Sequence, residues 1–135
     1  MKEISLQATL ENIQVVTDFV DEQLEAKDCP MKAQMQIDIA IDELFSNIAR
    51  YAYNPGVGEA TVQVEVAGDP LAVEITFMDH GVPYNPLEKE DPDVTLSAEE
   101  REIGGLGIFM VKKSMDAIEY EYTEGRNVLK IRKNI

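Results

Sequence analysis

The sequence has one cysteine and no long apolar run. Because Cys29 stands alone, the chain can form no internal disulfide bond, and no second Cys or His lies near it at metal-ligand spacing. No signal-peptide pattern opens the sequence, so we expect a protein of the reducing cytoplasm. No apolar stretch approaches the roughly 20 residues that cross a bilayer. These absences argue against secreted and membrane-spanning classes of protein.

Basic residues are also scarce, with 12 Lys and Arg against 26 Asp and Glu and a net charge of −14. This charge repels nucleic acids and anionic lipids, so we expect neither as a direct partner. A phosphate-bearing ligand is repelled too, unless a helix N-terminus or a cation offsets the field. The length of 135 residues, 44% of them apolar, predicts a single domain over residues 1–135 with a sizeable core.

Hydrophobic periodicity predicts the order β-α-α-β-β-lid-α-β-β. We expect helices at 10–27, 31–53 and 104–116 and strands at 2–8, 62–66, 71–77, 118–122 and 128–133. The acidic, proline-containing stretch at about 80–103 is too long for an ordinary connector and predicts a lid, and the capping-box spacing from Ser97 to Glu100 predicts a helical turn inside it. Short turns between neighbouring strands favour a mixed, mostly antiparallel sheet with helices on one face, an α+β two-layer sandwich.

The second helix carries the first candidate site residues. At about 100° per residue, Glu43 and Asn47 lie one turn apart on the shoulder of the buried face, while Asp42 and Ser46 are expected in solvent. A carboxylate there can accept a proton, and an amide oxygen can bind Mg²⁺. The alternative is the polar shoulder of an ordinary amphipathic helix.

The second candidate is Asp79-His80-Gly81, which directly follows a strand. An aspartate at a strand end can accept a hydrogen bond from an exocyclic amino group, and Gly81 lets a flat ring approach the backbone. The alternative is an ordinary turn in which the Asp and Gly only stop the strand. His80 is the single histidine, and we expect it to be an exposed bystander.

The third candidate is the Gly104-Gly105-Leu106-Gly107 entry into a helix. Free backbone N–H groups at the positive end of a helix dipole bind phosphate. The pattern is not the dinucleotide fingerprint, since no βαβ unit precedes it and the glycine spacing differs, and no Walker motif occurs. The backbone N–H groups of this helix entry would let a strongly acidic chain bind a triphosphate.

The order and spacing of these candidates resemble the GHKL (Bergerat) ATP-binding fold of gyrase, histidine kinases and MutL. Glu43 to Asn47 looks like its N box, Asp79 to Gly81 like its first glycine box and Gly105 to Gly107 like its second. The flanking residues resemble the branch of serine/threonine kinases that act as anti-sigma factors, over nearly the whole chain. Tyr51 departs from this branch, in which a histidine is frequent at that position.

This resemblance implies ATP and Mg²⁺ as cofactors. Glu43 would be the catalytic base for the attacking hydroxyl, Asn47 would coordinate Mg²⁺, and Asp79 would read the adenine amino group. Arg101 would lie nearest the γ-phosphate, with Arg50 a weaker candidate. The alternative is that Arg101 is a solvated charge of the lid. The remaining implied nucleotide contacts are Gly81, Gly104, Gly105, Leu106 and Gly107.

The resemblance also implies that this chain is an enzyme that regulates transcription. The phosphate acceptor would be a serine or threonine on an anti-anti-sigma protein of the STAS fold. A sigma factor would be the second partner, and a homodimer would form through the N-terminal strand and first helix. Two alternatives remain: an ATP-binding interaction module that transfers nothing, and an α+β interaction domain that binds no nucleotide.

Overall fold

The computed structural model describes residues 1–88 and 105–135. The strands are β1 (Lys2–Gln7), β2 (Glu59–Ala67), β3 (Ala72–Asp79), β4 (Ala117–Thr123) and β5 (Arg126–Asn134). The helices are α1 (Ile13–Glu25), α2 (Met31–Asn47) and α3 (Gly105–Ser114). The predicted order of helices and strands is therefore confirmed.

The strands form one five-stranded sheet in the order β1-β2-β3-β5-β4. Every neighbouring pair is antiparallel, so the described sheet is antiparallel throughout rather than mixed. Hairpins join β2 to β3 and β4 to β5, and glycines with positive φ, Gly68 (99°) and Gly125 (77°), occupy the two turns. These hairpins leave β3 and β5 adjacent at the middle of the sheet, where the strand ends form the site described below.

Alternation along the strands gives the sheet one apolar and one polar face. Val64, Ile75 and Ile131 are register partners across β2, β3 and β5, and all three are buried. One residue farther along β2, Glu65 pairs with Glu74, which in turn pairs with Arg132 on the opposite face. An antiparallel sheet with one solvated face has this pattern, and the predicted α+β two-layer fold is confirmed.

The buried face of α1 consists of Val16, Val20 and Leu24, spaced four residues apart. This spacing places them in one stripe along the helix, which packs on the apolar core. A 3₁₀ turn, Leu10–Asn12, precedes α1. The α-helix therefore begins at Ile13, whereas the periodicity predicts a start at residue 10.

The second helix differs from its prediction in two ways. The α-helical part ends at Asn47, and the chain continues as a π-helical turn, Ile48–Ala52, a feature often found at functional sites. Ser46 is buried, so its predicted placement in solvent is wrong. Its hydroxyl turns back and donates to the Glu43 carbonyl at 3.0 Å instead of to water. Asp42 is exposed, as predicted.

Most of the predicted lid lies outside the described residues, as do the helical turn predicted at Ser97, the candidate Arg101 and the candidate Gly104. Before this gap, a 3₁₀ turn, Pro86–Glu88, follows the β3 loop. Within residues 1–88 and 105–135, no helix combines the length and apolarity needed to cross a bilayer.

Candidate nucleotide site

A pocket of about 420 Å³, part of it open to solvent, lies between α2 and the ends of the central strands. Its walls are largely apolar, with Leu44 and Ile48 from the helix side and Phe77 and Leu129 from the sheet. Its polar side chains include Asn47, Asp79 and Asn127. An apolar slot with a few convergent polar groups suits a flat, partly polar ring.

Asp79 ends β3 and is buried. Its Oδ1 accepts a hydrogen bond from the backbone N–H of Gly81 at 2.8 Å and another from Nδ2 of Asn127 at 2.9 Å. No described residue donates to the other carboxylate oxygen, Oδ2. The carboxylate is therefore oriented through one oxygen, and the other can accept a hydrogen bond from a ligand.

Asn127 is a residue of this site that the sequence patterns did not reveal, since it lies just before the strand predicted at 128–133. The structure places it in β5, directly opposite Asp79. Besides Asp79, its Nδ2 donates to the Val82 carbonyl at 2.9 Å, and its Oδ1 accepts from the Tyr84 backbone N–H at 3.0 Å. The Tyr120 hydroxyl also donates to Oδ1. No local sequence signal marks this role, because it depends on which strands pair and in what register.

Gly81 lies against the π-helical turn that follows α2. A Cβ atom added to Gly81 would overlap the Ala52 backbone, and the next residue, Val82, donates its N–H to the Ala52 carbonyl at 2.9 Å. Glycine is therefore required here by the close approach of two backbone segments. Its predicted role in admitting the adenine ring stays a prediction.

Tyr53 anchors the start of the same loop. Its hydroxyl accepts a hydrogen bond from the His80 backbone N–H at 2.8 Å and donates to the Glu59 carbonyl at 2.6 Å. His80 itself is exposed, as predicted. The loop after β3 is thus tied to the end of the second helix from two sides, by Tyr53 and by the Gly81 contact.

Glu43 and Gly107, 64 residues apart in sequence, are in direct contact. A Cβ atom added to Gly107 would overlap the Glu43 carboxylate. The carboxylate therefore lies against the first turn of α3, and the absence of a side chain at Gly107 makes room for it. This contact brings two separately predicted candidates into one site.

Burial raises the pKa of the Glu43 carboxyl above its ordinary value. The neighbouring charge of Asp42 raises the pKa further, and the charge of Arg50 opposes the shift. A carboxylate whose pKa moves toward neutral pH is a better acceptor for a hydroxyl proton. Arg50 is exposed, and its charge acts on the Glu43 end of the site.

Asn47 lies one turn after Glu43 and lines the pocket. Its Nδ2 is buried and has no hydrogen-bond partner among the described residues, and a buried donor left unpaired costs about 1–3 kcal/mol in a folded protein. Among the described residues, no group of three or more His, Cys, Asp or Glu is placed to hold a metal ion. The amide oxygen of Asn47, and not the unpaired Nδ2, is the atom that would hold Mg²⁺, whose shell at nucleotide sites is completed by phosphates and water. This metal role stays a prediction.

Gly105, Leu106 and Gly107 form the first turn of α3. The first N–H groups of an α-helix have no partner within the helix, and they lie at the positive end of its dipole. The predicted phosphate site thus falls at a helix N-terminus next to Glu43, in a chain whose overall charge is strongly negative.

The family model described as a histidine kinase-like ATPase domain matches residues 6–133. The chain belongs to this family. The predicted resemblance to the GHKL ATP-binding fold is confirmed.

Several curated relatives of the chain carry kinase names. The serine-protein kinase RsbW of Bacillus mycoides (strain KBAB4) is 36% identical over 95 residues, 67% of this chain and 58% of RsbW. RsbW of Bacillus cereus (strain B4264) is 37% identical over 95 residues, which again cover 67% of this chain and 58% of RsbW. The serine/threonine-protein kinase BtrW of Bordetella bronchiseptica is 24% identical over 98 residues, 73% of this chain and 68% of BtrW. The matched segment thus spans less than two thirds of the RsbW proteins.

Proposed function

We propose that this chain is an ATP- and Mg²⁺-dependent protein serine/threonine kinase that acts as an anti-sigma factor in a partner-switching circuit. The observation that carries the proposal is the Glu43 carboxylate lying against Gly107 at the start of α3. A proton acceptor is thereby held beside the helix end that suits the phosphates. The kinase names of the RsbW and BtrW relatives support the same activity.

The nucleotide would be held at its two ends. Adenine would enter the apolar slot and donate its amino hydrogen to Asp79, whose Oδ1 is occupied by Gly81 and Asn127. The phosphates would meet the N–H groups of the Gly105–Gly107 turn, with Arg101 as the proposed contact of the γ-phosphate. Asn47 would hold Mg²⁺, which neutralises phosphate charge when bound.

In the proposed reaction, the hydroxyl oxygen of a serine or threonine attacks the γ-phosphorus. A new O–P bond forms while the bond from that phosphorus to the β-phosphate oxygen breaks, and ADP leaves. The hydroxyl proton passes to the Glu43 carboxylate. Phosphoryl transfer of this kind depends mainly on positioning and charge stabilisation, and the contacts around Glu43 and Asp79 supply positioning.

We propose a STAS-domain anti-anti-sigma protein as the phosphate acceptor and a sigma factor as the sequestered partner, within the cytoplasm. The net charge of −14 favours protein partners with basic surfaces over nucleic acids. β1 pairs with β2 on one side and forms an edge of the described sheet, which supports the proposed homodimer through β1 and α1.

The experiment measures ATP binding and phosphate transfer separately. We expect Glu43→Gln to retain ATP binding and to lose at least about 10²-fold in transfer to purified STAS-domain proteins of the source organism, because a positioned base contributes about 10²–10⁴-fold. Asp79→Asn should abolish the thermal stabilisation by ATP, which is about 2.7 kcal/mol for wild type at 100 times the dissociation constant. Glu121→Gln on the exposed side of β4 is the control.

Two results would count against the proposal. Normal transfer by Glu43→Gln would remove the assigned base. A wild type that binds ATP and holds a STAS-domain protein but transfers no phosphate would establish the alternative, a non-catalytic ATP-binding interaction module.

A further inference from the structure

The outer face of α2 carries an exposed apolar stripe, which consists of Met31, Met35 and Ile39. Their exposed fractions are 70%, 57% and 54%. A spacing of four residues places them one turn apart along one side of the helix. Single exposed apolar residues are ordinary on protein surfaces, but an aligned set indicates a place where another molecule binds.

The outer stripe ends at Ile39, one helical turn before Glu43. The spacing of four residues continues from Ile39 to Glu43, so at 1.5 Å per residue the three apolar side chains start about 6, 12 and 18 Å from Glu43 along the helix axis. A substrate hydroxyl must come within about 3 Å of a general base. A folded protein that delivers such a hydroxyl covers about 800 Å² of its partner's surface, which is a patch roughly 30 Å across. A patch centred near Glu43 would include Ile39 and Met35.

Carboxylates border the outer stripe on the side of α1. Asp38 lies on α2 close to Asp18, Asp21 and Glu25 of α1, whose charges all act on it. The thiol of Cys29 lies nearby, where the charges of Asp21 and Asp38 act on it. Exposed Asp42 extends the acidic border toward Glu43, and Lys32 is the one basic residue within α2. Asp38 itself is mostly protonated at neutral pH, because burial and the adjacent Asp21 raise its pKa to about 8. The negative charge of this border therefore comes mainly from exposed Asp18, Glu25 and Asp42. Complementary charge across an interface steers and selects the partner, so this border favours a partner with a basic rim.

The chemistry of the stripe also suits a protein surface. Two of its three side chains are methionines, whose flexible thioether chains adapt to an irregular apolar surface. A phosphate or a small polar ligand would gain nothing from them.

We propose that the outer stripe of α2 is the docking surface for the protein substrate, a folded STAS-domain protein with an apolar patch and a basic rim. The inference rests on the proposed kinase function, and it adds the surface by which the substrate is recognised. The partner's hydroxyl-bearing segment would then lie over Glu43, while its apolar patch covers Met35 and Ile39.

The test substitutes a residue of the outer stripe that lies away from the proposed nucleotide site. Met35→Asp adds a charge two turns from Glu43, and Val57→Asp is the matched control, since Val57 is 61% exposed in the segment before β2. Purified STAS-domain proteins of the source organism are titrated one at a time in the presence of Mg²⁺ and a non-hydrolysable ATP analogue. We expect Met35→Asp to weaken the binding of the cognate protein at least tenfold and to leave the affinity for the analogue unchanged. Val57→Asp should change neither by more than about twofold.

Binding and transfer are read separately so that the two proposals can fail separately. If Met35→Asp weakens binding but the wild type transfers no phosphate, the docking surface stands and the kinase function falls. If the wild type transfers phosphate and Met35→Asp binds the cognate protein as well as wild type does, the docking surface is wrong.

Two further outcomes overturn the docking proposal. One is that wild type binds none of the STAS-domain proteins. The other is that Met35→Asp converts a wild-type dimer to a monomer in sedimentation and leaves STAS binding unchanged, which would assign the stripe to a second copy of this chain.

Discussion

Substitution of Gly107 by alanine should separate the stability of the fold from its proposed catalysis. The added methyl group would overlap the Glu43 carboxylate. The backbone of α2 cannot retreat easily, since Leu44 and Phe45 beside Glu43 are buried in the core. The carboxylate is the far end of a flexible side chain, so we expect it to rotate away while both helices keep their positions.

The expected magnitudes follow from this geometry. Alanine stabilises a helix by up to about 1 kcal/mol relative to glycine, which offsets the cost of moving Glu43, so the free energy of unfolding should change by less than about 1 kcal/mol. A misplacement of about 1 Å can cost about 10²-fold in rate. Rotation of the Glu43 side chain moves the carboxylate by more than that, so phosphate transfer should fall at least about 10²-fold.

The assay combines thermal unfolding, ATP affinity and single-turnover phosphate transfer. Gly56→Ala is the control, because Gly56 lies in an exposed turn and an added Cβ there would be 3.3 Å from the Tyr53 carbonyl oxygen, a contact that small shifts relieve. A folded Gly107→Ala variant with wild-type transfer would refute the reasoning, since the position of Glu43 would then not depend on Gly107. Global unfolding of the variant would instead mean that α2 and α3 cannot accommodate the methyl group.

Two further predictions concern buried polar groups. Asn127→Ala removes four hydrogen bonds, so at about 1 kcal/mol each it should lower the free energy of unfolding by about 2–4 kcal/mol in chemical denaturation. The control Asn12→Ala removes one exposed hydrogen bond and should lower it by less than about 1 kcal/mol. Equal losses in the two variants would contradict the role of Asn127. Burial and the adjacent Asp21 carboxyl raise the pKa of Asp38 to about 8, and the Oδ1 atoms of Asp21 and Asp38 are both buried without a hydrogen-bond partner among the described residues. Because the folded-state pKa lies above the unfolded value, the native protein loses stability as pH rises from about 4 to 8. Asp38→Asn should therefore gain stability over wild type as pH rises across that range, whereas Glu121→Gln should not. A gain independent of pH would contradict the raised pKa of Asp38.

Local patterns in the sequence predicted the elements and most of the candidate site. Alternation in β3 placed Asp79 at a strand end, and the glycines before the third helix predicted a helix start, because hydrophobic period and turn chemistry depend on near neighbours. The spacing of Glu43 and Asn47 likewise required only the geometry of a helix. The sequence also determined the number of ionisable groups and the single thiol, because folding does not change composition.

Contacts between distant segments could not be read in this way. Asn127 reaches Asp79 because β5 pairs with β3 in one register, and a shift of one residue would turn its side chain to the other face of the sheet. The overlap of Gly107 with Glu43 and of Gly81 with Ala52 depends on how closely α3 and the β3 loop pack against the end of the second helix. Burial of Ser46 and the π-helical turn at Ile48–Ala52 are likewise set by the surroundings of α2. The tertiary structure decided these features because packing and register are properties of surfaces that meet only after folding.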